Sequence, residues 1–63
     1  MKEEDFVNAI HKDDRFEWTY GCNCDGTYGV FVHNRADDIT THFTIDVINL
    51  YNFSDLIKSM GVI

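Results

Sequence analysis

Few residues in this chain have side chains suited to chemistry. Cys22-Asn23-Cys24 sets two thiols one residue apart, with His33 and His42 downstream. Cysteine thiolates and imidazoles are the ligands that hold structural zinc tetrahedrally. One intervening residue is tighter than the usual spacing of about two to four, and the histidines fall toward the other end of the intervening hairpin. Two small residues in a turn is the simpler use of the pair. A redox dithiol favours Cys-x-x-Cys at a helix start, and a disulfide across one residue is strained. A cysteine nucleophile with a histidine base needs an orienting third group and a dry pocket, and the sequence specifies neither. Asp13-Asp14 and Asp37-Asp38 offer paired oxygen ligands of the kind Mg²⁺ or Ca²⁺ takes. The Asp-x-Asp-x-Asp-Gly loop that would order them is missing. Gly21, Gly26 and Gly29 flank a hairpin instead of joining a strand to a helix, so they do not make a phosphate loop. The expectation is a non-enzymatic chain with no cofactor. A small metal-binding regulator built on Cys22 and Cys24 with the histidines stays open as an alternative.

The elements that must position these residues can be read from periodicity. Glu3, Glu4 and Asp5 precede Phe6, Val7, Ala9 and Ile10, an apolar face at helical spacing whose acidic first turn suits the helix dipole. Asp13-Asp14 ends this helix. From Phe16 the period becomes two: Phe16, Trp18 and Tyr20 alternate with Glu17, Thr19 and Gly21, as in a half-buried strand. Asp25-Gly26 is a hairpin signal. A second strand runs from about Thr27 to His33, with Tyr28, Val30 and Val32 on one face and Gly29, Phe31 and His33 on the other. Asn34 to Asp38 is the next turn. A third strand carries Ile39, Thr41, Phe43, Ile45 and Val47 on its apolar face. Leu50, Phe53, Leu56-Ile57 and Met60 then recur at helical spacing, with Asn49, Asn52 or Ser54 as cap and Gly61 at the end.

The predicted fold is α+β, a single compact domain over 1–63 in the order α-β-β-β-α. A three-stranded antiparallel meander with both helices on one face buries every apolar stripe. This element order resembles the double-stranded-RNA-binding domain, and the resemblance stops there. That family reaches phosphates with basic residues at the start of its last helix, whereas this chain has Asn52-Phe53-Ser54-Asp55. The departure argues against direct nucleic-acid binding, and no family is assigned.

The chain has 63 residues, five Lys plus Arg and eleven Asp plus Glu, for a net charge of −6. That balance argues against a basic nucleic-acid binder. No apolar run long enough for a membrane span occurs. Two cysteines and no apolar signal region point to a cytoplasmic location, in a host cytoplasm if the chain is viral. A chain opening with Met and closing near a helix end reads as a whole gene product. Antiparallel connectivity should bring Asp13, Asp14, Asp37 and Asp38 to one end of the sheet, with Arg15 and Arg35 partly compensating. Phe31 should lie among polar residues on the face away from the helices. These five residues, Asp13, Asp14, Phe31, Asp37 and Asp38, are the expected partner-binding set.

A charge of this size also suits plain solubility. The functional expectation is an acidic protein-interaction module. It would inhibit a larger nucleic-acid-handling complex by presenting carboxylates to a surface built for phosphates. A phage or mobile-element product such as an anti-CRISPR or anti-defence protein fits this size and charge. A structural, self-associating subunit is the other alternative; the expected state is monomer or small homo-oligomer.

Overall fold

A computed structural model describes residues 1–61 of the chain. The order is helix α1 (Glu3–Lys12), strands β1 (Phe16–Cys22), β2 (Tyr28–Asn34) and β3 (Ile39–Thr44), then helices α2 (Ile45–Leu50) and α3 (Phe53–Ser59). The three strands form one antiparallel sheet in the order β1-β2-β3. The expected α+β meander is therefore present.

Each helix follows from local chemistry. In α1, Glu3, Glu4 and Asp5 occupy the first turn and His11 and Lys12 the last, both matching the helix dipole. Phe6, Val7 and Ile10 form its buried stripe. The helix stops where Asp13 turns extended. Thr44 caps α2, its Oγ1 accepting from the Val47 N–H at 3.3 Å. Asn52 caps α3, its Oδ1 accepting from the Asp55 N–H at 2.9 Å. At the other end of α2 the Met1 ammonium donates to the carbonyls of Ile48 (3.0 Å) and Tyr51 (2.9 Å). A cation there satisfies carbonyls that a helix end leaves without partners.

Phe16, Val30, Val32 and Phe43 line the buried face of the sheet. Phe6, Val7 and Ile10 from α1, Ile48 from α2, and Leu56, Ile57 and Met60 from the C-terminal turns pack on that face. All the helices thus cover one side. The register puts Glu17, Thr19, Phe31, His33, Thr40 and His42 on the opposite face.

Two local expectations fail. The third strand does not reach Val47. It ends at Thr44, because the Thr44 cap competes with continued pairing and the following residues bury Ile48 as a helix. Ile45, Val47 and Phe43 alternate in sequence, but only the last of them is in a strand. Leu50 is not on the C-terminal buried stripe either. It ends α2 at 76% exposure, and the last helix starts at Phe53 under the Asn52 cap, so neither Asn49 nor Ser54 is the cap.

Gly29 explains how the chain can leave the sheet at Thr44. A Cβ on Gly29 would be driven into the Phe43 carbonyl and would stand 2.9 Å from Thr44 Cα. Backbone atoms cannot move aside as a side chain can. The third strand approaches the second this closely only because residue 29 has no side chain. Phe6 supplies the complementary constraint. Fully buried, its ring meets Phe43 edge-on at 5.6 Å and Phe53 at 6.1 Å, joining α1 to β3 and α3.

Two substitutions test these constraints by urea unfolding. Phe6→Ala should cost about 3–5 kcal/mol, a large part of the roughly 5–15 kcal/mol that holds a domain folded. Gly29→Ala should cost about 3 kcal/mol, the upper end for overpacking, while Gly26→Ala, at a turn glycine with open space around it, should cost about 1 kcal/mol for its positive φ.

Candidate functional site

The four aspartates of the expected set do share one end of the sheet. Phe16 pairs with Asn34 and Asn34 with Ile39, so the segment before β1 adjoins the β2–β3 turn. The Arg35 N–H donates to the Arg15 carbonyl at 3.0 Å, and Arg35 Nη1 donates to the Asp14 carbonyl at 3.0 Å. These bonds tie the two acidic segments together.

The four carboxylates are not equivalent. Asp13 is clamped by Arg15, whose Nε donates to Oδ1 at 3.0 Å and whose Nη2 donates to Oδ2 at 2.6 Å. The Arg15 backbone N–H adds a third bond to Oδ1 at 3.0 Å. Asp37 accepts a long bond of 3.4 Å from Asn34 Nδ2. Asp38 Oδ1 lies 3.2 Å from His33 Nε2. Among the described residues Asp14 has no side-chain partner. Arg35 Nη2 also reaches Glu17, at 3.5 Å. This end is therefore a mixed-charge surface in which Asp14, Asp37 and Asp38 project most freely.

Asn34 builds the turn that presents Asp37 and Asp38. It is buried, and its Oδ1 accepts from the Ala36 N–H at 3.0 Å. Its carbonyl accepts from the Asp38 N–H at 2.8 Å, and Asp38 takes a left-handed φ of 56°. Asp and Asn tolerate that region better than most residues. The sequence marks Asn34 only as a turn residue, and its buried position depends on facing the core beside Val32.

Phe31 lies on the helix-free face, as expected. Its ring covers Gly21, where a Cβ would stand 2.8 Å from it. It also contacts the His42 ring, with centroids 4.4 Å apart. His42 Nε2 donates to the Gly21 carbonyl at 3.1 Å. His33 Nδ1 hydrogen-bonds with Thr40 Oγ1 at 2.9 Å. A shallow depression of about 430 Å³ beside the Phe31 ring is lined by Glu17, Trp18, Thr19, Phe31, His33 and Thr40. Since His33 touches Asp38, this face runs without a break into the acidic turn. Phe31 and Asp38 therefore lie on one continuous surface through His33, while Asp37 on the same turn is bonded to the buried Asn34 and Asp13 is held by Arg15.

The cysteines and histidines separate. Cys22 and Cys24 are exposed free thiols at the β1–β2 turn. Asn23 and Thr27 close that turn, and Gly26 takes a positive φ of 84° within it. His42 sits near this end and His33 near the other. Both are on the open face, whereas alternation puts Cys22 on the face of Tyr20 and Tyr28. Among the described residues no three of His, Cys, Asp and Glu converge as a metal-ligand set.

An aromatic ladder on the helix side is the feature that sequence reading undervalues. Trp18 meets Tyr20 edge-on at 5.4 Å, and Tyr20 stacks with Tyr28 at 6.0 Å with rings 4° from parallel. Both tyrosines occur on the predicted buried face, yet they are 40% and 50% exposed. Partial burial first, then the nearby Glu3 carboxylate, Tyr28 and Glu4, push the Tyr20 phenol above its usual pKa.

No helix among the described residues is long and apolar enough to cross a membrane. No family model matches the chain, and no curated protein or solved structure is significantly similar to it.

The Asp13 clamp has a pH signature. Hydrogen bonds from Arg15 hold the Asp13 carboxyl below its ordinary value, outweighing the opposing effect of burial. A depressed folded pKa adds stability above the unfolded carboxylate range, about pH 4, and that stability is lost as pH falls through the folded value. Asp13→Asn should therefore be less stable than the parent at neutral pH. In urea titrations across the acid range the difference should close below about pH 4.

Proposed function

We propose that this chain is a non-enzymatic protein-interaction module that occupies a basic surface of a larger nucleic-acid-handling complex and blocks it. A phage or mobile-element inhibitor, such as an anti-CRISPR or anti-defence protein, is the biological setting that best suits its size and charge. The observation that carries the reading is the continuous surface from Phe31 through His33 to Asp38, with Asp37 on the same turn. An aromatic centre with a polar, acidic rim is the composition of a binding patch. Carboxylates held on an ordered turn can stand where a partner expects phosphates. A net charge of −6 steers such an encounter from a distance.

The exposed pair Leu50 and Tyr51, at the end of α2, supports a second reading in which the chain closes against copies of itself. Sedimentation equilibrium separates the two, because a monomer at all accessible concentrations removes the second.

The first reading is tested by adding the purified chain to a panel of RNA-guided nuclease complexes and other nucleic-acid-binding assemblies and measuring their DNA binding. At least one should be inhibited. Combined Asp14→Lys, Asp37→Lys and Asp38→Lys should weaken inhibition by about 100-fold or more, and Phe31→Ala by about tenfold, as for charge complementarity and an aromatic anchor. Inhibition that survives charge reversal unchanged would overturn phosphate mimicry, and no inhibition across the panel would overturn the reading as a whole.

A further inference from the structure

The helix-free face is not the only surface available to a partner. The Trp18–Tyr20–Tyr28 ladder runs across the helix-side face at the end of the sheet opposite the acidic turn. Trp18 packs partly against the core, but Tyr20 and Tyr28 are outside the core cluster and 40% and 50% exposed. Tyr20 has Trp18 on one side and Tyr28 on the other. Among the described residues no ring covers the outer side of Tyr28. Two parallel rings thus present an ordered aromatic surface, already packed and needing little further ordering on binding.

The charge around this ladder is acidic and poorly compensated. Glu3 and Glu4 act on Tyr20, and Asp5 continues the same first helical turn. The neighbouring basic groups are Lys2, the Met1 ammonium, which is directed to the carbonyls at the end of α2, and His11, whose ring meets the Trp18 end of the ladder edge-on at 6.5 Å, away from Tyr28. At the opposite end of the sheet, by contrast, Arg15 and Arg35 engage Asp13 and Glu17.

We propose that the exposed Tyr20–Tyr28 stack, flanked by Glu3 and Glu4, docks arginine side chains of an extended basic segment on a protein partner. A guanidinium is planar and weakly hydrated, so it stacks on an aromatic face while its N–H groups reach carboxylates. An ammonium lacks the planar contact, which makes arginine the better fit. A second copy of this chain is a poor occupant, because another acidic molecule would be repelled from an acidic end. The inference rests on the interaction-module reading and gives it a second contact, with a distinct chemistry, at the far end of the sheet.

The test uses hexaarginine as the probe, with hexacitrulline, which keeps the shape and loses the charge, as control. Trp18 is the only tryptophan, and its edge contact with Tyr20 makes its fluorescence a local reporter. Hexaarginine should give saturable binding with amide NMR shifts at Glu3, Glu4, Tyr20 and Tyr28, and hexacitrulline should give none. Tyr28→Leu, at a half-exposed position, should weaken binding about tenfold with the amide spectrum otherwise intact. Glu3→Gln with Glu4→Gln should weaken it and reduce its salt dependence. Hexalysine should bind less tightly than hexaarginine.

No saturable binding overturns the proposal, as does equal affinity in the Tyr28→Leu variant. Shifts confined to Asp14, Asp37 and Asp38 overturn it too, while leaving the interaction-module reading intact. Concentration-dependent self-association through Tyr20 and Tyr28 would instead assign the patch to a second copy. The inhibition panel can fail while hexaarginine still binds at the tyrosines, so failures of the two readings are distinguishable.

Discussion

The ring of Phe6 is the contact on which the rest of this domain depends. It joins the first helix to the last strand through Phe43 and to the last helix through Phe53. In a chain of 63 residues, ordering the backbone and side chains opposes folding by about as much as a small core can supply. Such a chain can fill one layer of core between a sheet and its helices. The helices gather on the Phe6 side, and no second layer is available for the other face. The open face carrying Phe31 is therefore a consequence of how little apolar material there is to distribute.

Gly29 works with Phe6 by setting where the sheet ends. Its missing side chain lets the Phe43–Thr44 backbone come close, and the Thr44 hydroxyl then starts a helix that returns Ile48 over the core. Much of this was legible in the sequence. The stripes Phe6/Ile10, Val30/Val32 and Leu56/Ile57 each have the period of the element they form and face the same core. The end of the third strand was not legible, because Phe43, Ile45 and Val47 continue an alternating pattern through a point where the chain changes conformation. A capping threonine and a close-approach glycine on the neighbouring strand decide that point. The two are 15 residues apart in sequence and meet only in the sheet.

Charge was legible as placement and not as pairing. Connectivity alone puts Asp13, Asp14, Asp37 and Asp38 at one end. It does not show that Arg15 encloses Asp13 or that His33 reaches Asp38. The first contact has a local cause, since the Asp13 carboxylate accepts the Arg15 N–H within a turn that the Phe16 N–H closes on the Asp13 carbonyl. The second needs the Asp38 backbone in its left-handed conformation, held by the buried Asn34. Pairing divides the acidic end into a clamped corner and a projecting turn, and only the projecting part has carboxylates available to a partner.

The lengths of the elements explain why the first helix leaves part of the sheet open. A helix of ten residues is about 15 Å long, whereas a strand of seven spans about 23 Å. Laid along β1, α1 cannot cover it from end to end. Tyr20 and Tyr28 stay 40% and 50% exposed, and tyrosine suits such a margin because its ring packs while its hydroxyl stays wet. The first turn of α1 places Glu3 and Glu4 beside those rings for a separate reason, namely that acids stabilise a helix start. Residues chosen for folding thus combine half-exposed aromatic surface with negative charge at the end of the sheet opposite the acidic turn.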